Sequence, residues 1–231
     1  MTIYLPNPVL HETGAEIDEF SDALYPDPPP PPARRAPVRI ALLGPPGSGK
    51  GTQGATLARH LGVPLISSGA LLRAVTAAAP AQWGGIEAAL DRGDLAPDDD
   101  VLPLIADAVA ATGPAGGYIL DGYPRTIGQA QHPEAPPFDV AVHLDVPDDV
   151  ARARLMSGHR AGRRDDEDGA VVERRLRRFR EDSAPLLDFY GRKGMLTTVD
   201  GDQRPDLVTD ALLRALERRP TSDIVRTHPG E

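Results

Sequence analysis

No cysteine occurs in the 231 residues. Disulfides and thiolate-bound metals are therefore excluded, and the chain suits a reducing compartment. Aromatic residues make up only 4%, so the core has to be built from Leu, Val, Ile and Ala. Positive charge is in deficit. Lys and Arg number 25 against 34 Asp and Glu, a formal charge of −9. Such a balance argues against general binding to nucleic acid or to an anionic membrane, and it leaves room for a local basic cleft. No apolar run is long enough to span a bilayer. The opening Met1-Thr2-Ile3-Tyr4-Leu5-Pro6 lacks the basic and apolar regions of a secretion signal. The expectation is a soluble cytoplasmic protein.

What is present suits one α/β domain with appendages. At this length, and with 40% hydrophobic residues, a sizeable core can form. Residues 1–37 read as an acidic extension ending in Pro28-Pro29-Pro30-Pro31-Pro32. Polyproline lacks backbone donors and stays extended, so a stiff linker is the plain reading. A docking peptide for a proline-binding domain is the alternative. Ile17, Phe20 and Leu24 stand at helical spacing among acidic residues. That stripe, opposite in charge to the arginine-rich part of the chain, predicts contact with the rest of the protein or with an unidentified partner. Thr221–Glu231 is polar, and 219–231 reads as a tail.

From Val38 onward strands and helices alternate. Strands are expected at Val38–Leu43, Val63–Ser67, Tyr118–Asp121, Val140–Leu144 and Leu196–Val199. Helices are expected at Gln53–Leu61, Leu71–Ala79 (broken by Pro80), Ile86–Arg92, Val101–Ala111, Asp148–Met156, Val171–Phe189 (bent at Pro185) and Leu207–Leu216. Val-, Ile- and Leu-rich strands between helices imply a parallel sheet buried on both faces.

The most informative stretch is Gly44-Pro45-Pro46-Gly47-Ser48-Gly49-Lys50-Gly51-Thr52. It joins the first strand to the first helix. Strand, glycine-rich loop, lysine and helix form a cradle whose backbone N–H groups and helix N-terminus can surround a polyphosphate. Lys50 adds a positive charge near the terminal phosphates. The match to G-x-x-x-x-G-K-S/T is imperfect, because Gly51 stands where the hydroxyl residue belongs and Thr52 follows it. A glycine-rich turn before a helix can arise without function. Six glycines and prolines with a lysine between strand and helix signals weigh against that.

Asp121-Gly122-Tyr123-Pro124-Arg125-Thr126 ends the third strand, where parallel sheets gather their functional groups. Asp121 can hold Mg²⁺, directly or through water, and Arg125 can reach a second phosphate with its planar fork. The bland alternative is an Asp that caps a turn beside a surface Arg. Arginine is dense from Arg152 to Arg180. Most of these belong on a solvated helix face. Arg174, Arg177 and Arg178 are expected in solvent or paired with Glu173, Glu181 and Asp182, while Arg175 sits beside the Val172, Leu176 and Phe179 stripe. Ser157 to Gly169 reads as a cover that excludes water from a phosphoryl transfer. Asp98-Asp99-Asp100 reads as a charge cluster at a helix N-terminus rather than a metal site.

On these residues the chain resembles the adenylate kinase family of nucleoside monophosphate kinases, over about Val38 to Leu216. Gly44–Gln53 resembles the family's phosphate loop, including the glycine between lysine and threonine. Ser67-Ser68-Gly69-Ala70-Leu71-Leu72-Arg73 resembles its monophosphate-binding segment. Asp121 to Ala130 resembles its signature, and Arg164-Asp165-Asp166 with Arg174-Arg175-Leu176 resembles its lid-closing arginines.

The resemblance implies a P-loop NTPase-type α/β fold with a five-stranded parallel sheet over residues 38–218, a monophosphate-binding helical segment at about 67–98 and a short lid at about 157–169. It implies reversible transfer of the ATP γ-phosphoryl group to AMP with Mg²⁺, the ion held by Asp121 through water and by Thr52. Gly47, Ser48, Gly49, Lys50, Gly51, Thr52, Arg154, Arg160 and Gln203 would contact ATP. Ser68, Gly69, Arg73, Leu95, Ala96, Gly122, Arg125, Gln129, Arg164 and Arg175 would contact AMP, with Gln129 reading the adenine edge. Lys50, Arg125, Arg160, Arg164 and Arg175 would act in the transfer itself.

Departures from the family pattern are Ser68 for Thr, Ala70 for Asp and Ala96 for Val, all on the acceptor side. Without cysteine, the zinc-bearing lid of some members is excluded. The alternatives are a kinase for CMP or UMP, and a nucleotide-binding regulatory protein with little turnover.

Overall fold

The computed structural model describes residues 38–113, 116–157 and 169–217. The readings of residues 1–37, of the lid with Arg160 and Arg164, and of the C-terminal tail lie outside the described residues.

Five strands form one sheet: β1 (Arg39–Leu43), β2 (Leu65–Ser67), β3 (Tyr118–Asp121), β4 (Val140–Asp145) and β5 (Leu196–Asp200). Their spatial order is β2-β3-β1-β4-β5 and every pair is parallel. Eight helices are described: α1 (Lys50–Leu61), α2 (Ser68–Ala78), α3 (Pro80–Asp91), α4 (Asp98–Ala110), α5 (Ile127–Gln131), α6 (Asp148–Ser157), α7 (Gly169–Arg192) and α8 (Pro205–Glu217). None of them is long and apolar enough to cross a membrane.

Successive side chains of a strand point to opposite faces, and β1 shows why both faces are apolar. Ile40 and Leu42 join Leu57 of α1 and Val208 and Leu212 of α8 in one cluster. Ala41 and Leu43 join Leu186 and Tyr190 of α7 in another. A third cluster, with Leu72, Ile86, Ala96 and Ile105, packs α2, α3 and α4 against Leu120. Each large aliphatic side chain so buried contributes about 1.5–3 kcal/mol.

All five strands fall within two residues of their expected bounds. The helices differ more. α2 ends at Ala78, just before Pro80, as expected, and Pro80 also begins α3, where its missing N–H removes no bond. α7 runs on through Pro185 to Arg192. α5 was not expected. It starts at Thr126, whose side chain caps the N–H of Gln129. Asp98, Asp99 and Asp100 form the first turn of α4, as the dipole argument predicts.

Candidate functional site

The phosphate loop lies between β1 and α1, at the carboxyl end of the central strand. Gly47 has φ +84°, and a Cβ there would stand 2.4 Å from the carbonyl oxygen of Ala151 on α6. Only glycine allows this backbone angle and this approach. Lys50 Nζ donates to Gly44 O at 2.7 Å and to Pro45 O at 2.8 Å, folding the side chain back over the loop. Gly49 is the N-cap of α1, and no side-chain hydrogen bond caps the helix. Gly47 to Thr52 line a cleft of about 1190 Å³, so the positive end of the helix dipole opens on it. Gln53, buried behind the loop, donates to Pro205 O at 2.9 Å and accepts from Thr209 Oγ1 at 2.7 Å.

The strand register brings the second motif to the same rim. Asp121 pairs with Leu42 on one side and with Ser67 on the other, and it lines the cleft with Gly122 and Arg125. Gly122 O accepts from Ser68 Oγ at 2.8 Å and from Arg125 Nε at 2.8 Å. This carbonyl therefore fastens the start of α2 to the signature loop. Gly69, Arg73 and Leu95 line the cleft as well.

Opposite them, Arg154 on α6 donates to Gly201 O at 2.9 Å and lies 3.4 Å from the Asp202 carboxylate. Gln203 lines the cleft and donates to Asp200 at 2.8 Å. That bond, with the backbone N–H of Asp202, holds the Asp200 carboxyl below its ordinary range. Arg175 on α7 lines the cleft too.

Three expected acceptor residues do not line the cavity. Ser68 is turned to Gly122. Ala96 is packed among Leu72, Val101 and Leu102 in the core, so its size bears on packing rather than on cleft volume. Gln129 is only 4% exposed. Its Oε1 accepts from the Arg125 N–H at 2.7 Å, and its Nε2 donates to Asp98 at 2.6 Å. Tyr123, whose hydroxyl donates to Gln129 O, is pushed up to about 12, first by burial and then by Asp98.

Glu173 binds Arg152 of α6, a partner not singled out beforehand. Arg178 pairs with Asp182 at 3.6 Å, as expected, and in addition it lines the cleft and lies 3.4 Å from Asp94. Its spacing of three from Arg175, which puts both on one helix face, was the signal available in the sequence. Phe179, Gly201, Pro205 and Val208 are further lining residues not singled out beforehand.

Residues 42–195 match the family profile described as Adenylate kinase. An Adenylate kinase from Synechococcus sp. (strain JA-2-3B'a(2-13)) is 40% identical over 186 residues, covering 78% of this chain and 96% of the relative. Adenylate kinase 1 from Nostoc sp. (strain PCC 7120) is 41% identical over 185 residues, covering 78% and 98%. The Adenylate kinase of Nocardia farcinica (strain IFM 10152) is 40% identical over 187 residues, covering 78% of this chain and all of the relative.

Proposed function

The chain belongs to the adenylate kinase family, and from that membership we propose that it transfers the γ-phosphoryl group of ATP reversibly to AMP, giving two ADP. The observation that carries the reading is one continuous cleft. It is lined by the phosphate loop with Lys50, and also by Arg73 and by Arg125, which is bonded to Gly122 O. Two phosphate-binding groups that face one cavity suit a donor and an acceptor held together.

In the reaction, an AMP phosphate oxygen attacks the γ-phosphorus in line. A new P–O bond forms while the bond to the β-bridging oxygen breaks, and its electrons stay on the departing ADP. The attacking oxygen is already anionic, so no general base is required. The protein's work is positioning and charge neutralisation. Lys50 leaves the loop carbonyls for the transferring phosphate, where its charge counts most as the transition state forms. Arg73 and Arg125 grip the acceptor phosphate, and Arg125 is aimed by its bond to Gly122 O. Arg154 and the Gly201–Gln203 turn seat the donor nucleotide, and Arg175 meets the phosphates between the two.

Among the described residues no group of three or more His, Asp or Glu side chains is placed to cage a metal. Asp121 and Thr52 line the cleft, a sparse oxygen set. Such a set suits Mg²⁺, which keeps several waters and takes its other ligands from phosphate. Bound with ATP, the ion would neutralise charge on the polyphosphate.

A coupled assay of ADP formation from ATP with AMP, CMP and UMP tests the proposal. AMP is expected to give the highest kcat/KM. A preference for CMP or UMP would move the acceptor assignment, and tight ATP binding without turnover would overturn the enzyme reading.

A further inference from the structure

The turn that follows α3 is held against α7 by three successive arginine contacts. Arg174 donates to Arg92 O at 2.9 Å, Arg175 donates to Leu90 O at 3.3 Å, and Arg178 lies 3.4 Å from Asp94. The first two contacts fall on carbonyls at the C-terminal end of α3, where the helix dipole favours cations. Asp94 also pairs with Arg92, and Arg178 with Asp182. Gly93 completes the fit. A Cβ there would stand 3.1 Å from Arg175 Cγ and 3.2 Å from Val171, at a φ of +80° that already calls for glycine. The turn therefore approaches α7 backbone-first, onto the stem of Arg175. α7 is itself braced on its other side, by Arg152 with Glu173 and Arg180 with Asp148.

We propose that Asp94 and Arg178 are a positioning pair for the acceptor. They draw the Leu90–Asp94 turn onto α7, close that wall of the cleft, and fix Arg175 in the direction from which it meets phosphate. Leu90, Asp91, Gly93 and Asp94 all line the cleft, so the pair acts on acceptor binding through the wall it places. Both side chains are partly exposed, and an exposed ion pair contributes little to stability. Its effect belongs in the geometry of closure. The proposal rests on the AMP-kinase reading for its kinetic arm only.

The test uses the full chain with Asp94→Asn, Arg178→Gln, the double variant and Arg178→Lys. Each single change is expected to raise the KM for AMP about 3- to 5-fold, the range of one exposed pair, and to move the KM for ATP less than that. The double variant is expected to be no worse than either single, because both remove one interaction. Arg178→Lys, which keeps the charge, is expected to recover at least part of the loss. Hydrogen exchange of the nucleotide-free protein gives an arm independent of substrate. The amides of Gly93 and Asp94, bonded to Leu90 O and Ala89 O, are expected to exchange faster in both single variants. Equal shifts in the two KM values, effects that multiply in the double variant, or unchanged exchange at this turn would each overturn the proposal. Failure of the unmodified protein to use AMP would instead overturn the proposed reaction, and the exchange arm would still decide the role of the pair.

Discussion

At the scale of single residues, the proposed reaction puts Lys50 of the phosphate loop where charge changes most. Lys50→Ala is expected to lower kcat by about 10²-fold or more, the usual loss when a transition-state charge contact is removed, as measured in the coupled assay. A second residue-scale prediction concerns Gln129. The Arg125 N–H can only donate and the Asp98 carboxylate can only accept, so together they hold the Gln129 amide in one orientation. Adenine presents an amino donor beside a ring-nitrogen acceptor, and a 6-oxo purine presents the reverse. On the expected role of Gln129 as reader of the adenine edge, which a bound purine would have to meet behind the cleft lining, an amide held in one sense discriminates between the two. Asp98→Asn puts a group there that both donates and accepts, so the amide can turn over. The ratio of kcat/KM for AMP over IMP is expected to fall about 3- to 10-fold, the scale of one hydrogen bond. An unchanged ratio would remove Asp98 from acceptor choice. Gln129 was legible as a motif position, but its partner was not. Asp98 lies 31 residues away, and such a contact leaves no periodicity or spacing for one sequence to display.

Among the elements, strands were the most legible and short helices the least. Val-, Ile- and Leu-rich runs of the right length leave few alternatives in an alternating chain, so all five were found. α5 has only five residues, Ile127–Gln131, too few to show an apolar stripe. Its existence depends on the Thr126 cap. Pro80 was legible as the break after α2 but not as the start of α3, because proline both breaks a helix interior and suits a first turn. Asp94 as a second partner of Arg178 was not legible, because helical periodicity assigns a face but does not say which element will cover it. α1 bears the most weight, since the phosphate loop runs into its first turn and its Leu57 face is buried against the sheet. Leu57 is fully buried there. Leu57→Ala is expected to lower the unfolding free energy by about 2–5 kcal/mol, seen as a lower urea midpoint. A shift well below that range would mean that the loop helix is anchored chiefly by Gln53.

For the molecule as a whole, stability should depend on one half-buried histidine. His143 on β4 stacks on Phe179 with ring centroids 6.4 Å apart. Burial lowers its pKa from 6.5, Asp145 opposes the shift and Lys50 adds to it. A histidine that stays neutral when folded takes up its proton on unfolding. Its contribution to stability is therefore present above about pH 6.5 and is lost as pH falls through the lower, folded value. Urea midpoints measured from pH 7.5 down to about pH 5 should decline, and His143→Leu should flatten that decline. An identical decline in the variant would place the pH sensitivity elsewhere.

The bonds from Gln53 to Pro205 and Thr209 have a consequence for synthesis. A chain leaves the ribosome N-terminus first, so the phosphate loop emerges early. Gln53, behind that loop, has no Pro205 or Thr209 to bind until the first turns of α8 have cleared the exit tunnel. β5 and the Gly201–Gln203 turn arrive just before them. A nascent chain can therefore expose its phosphate loop long before the segment that fixes Gln53 behind it has been made.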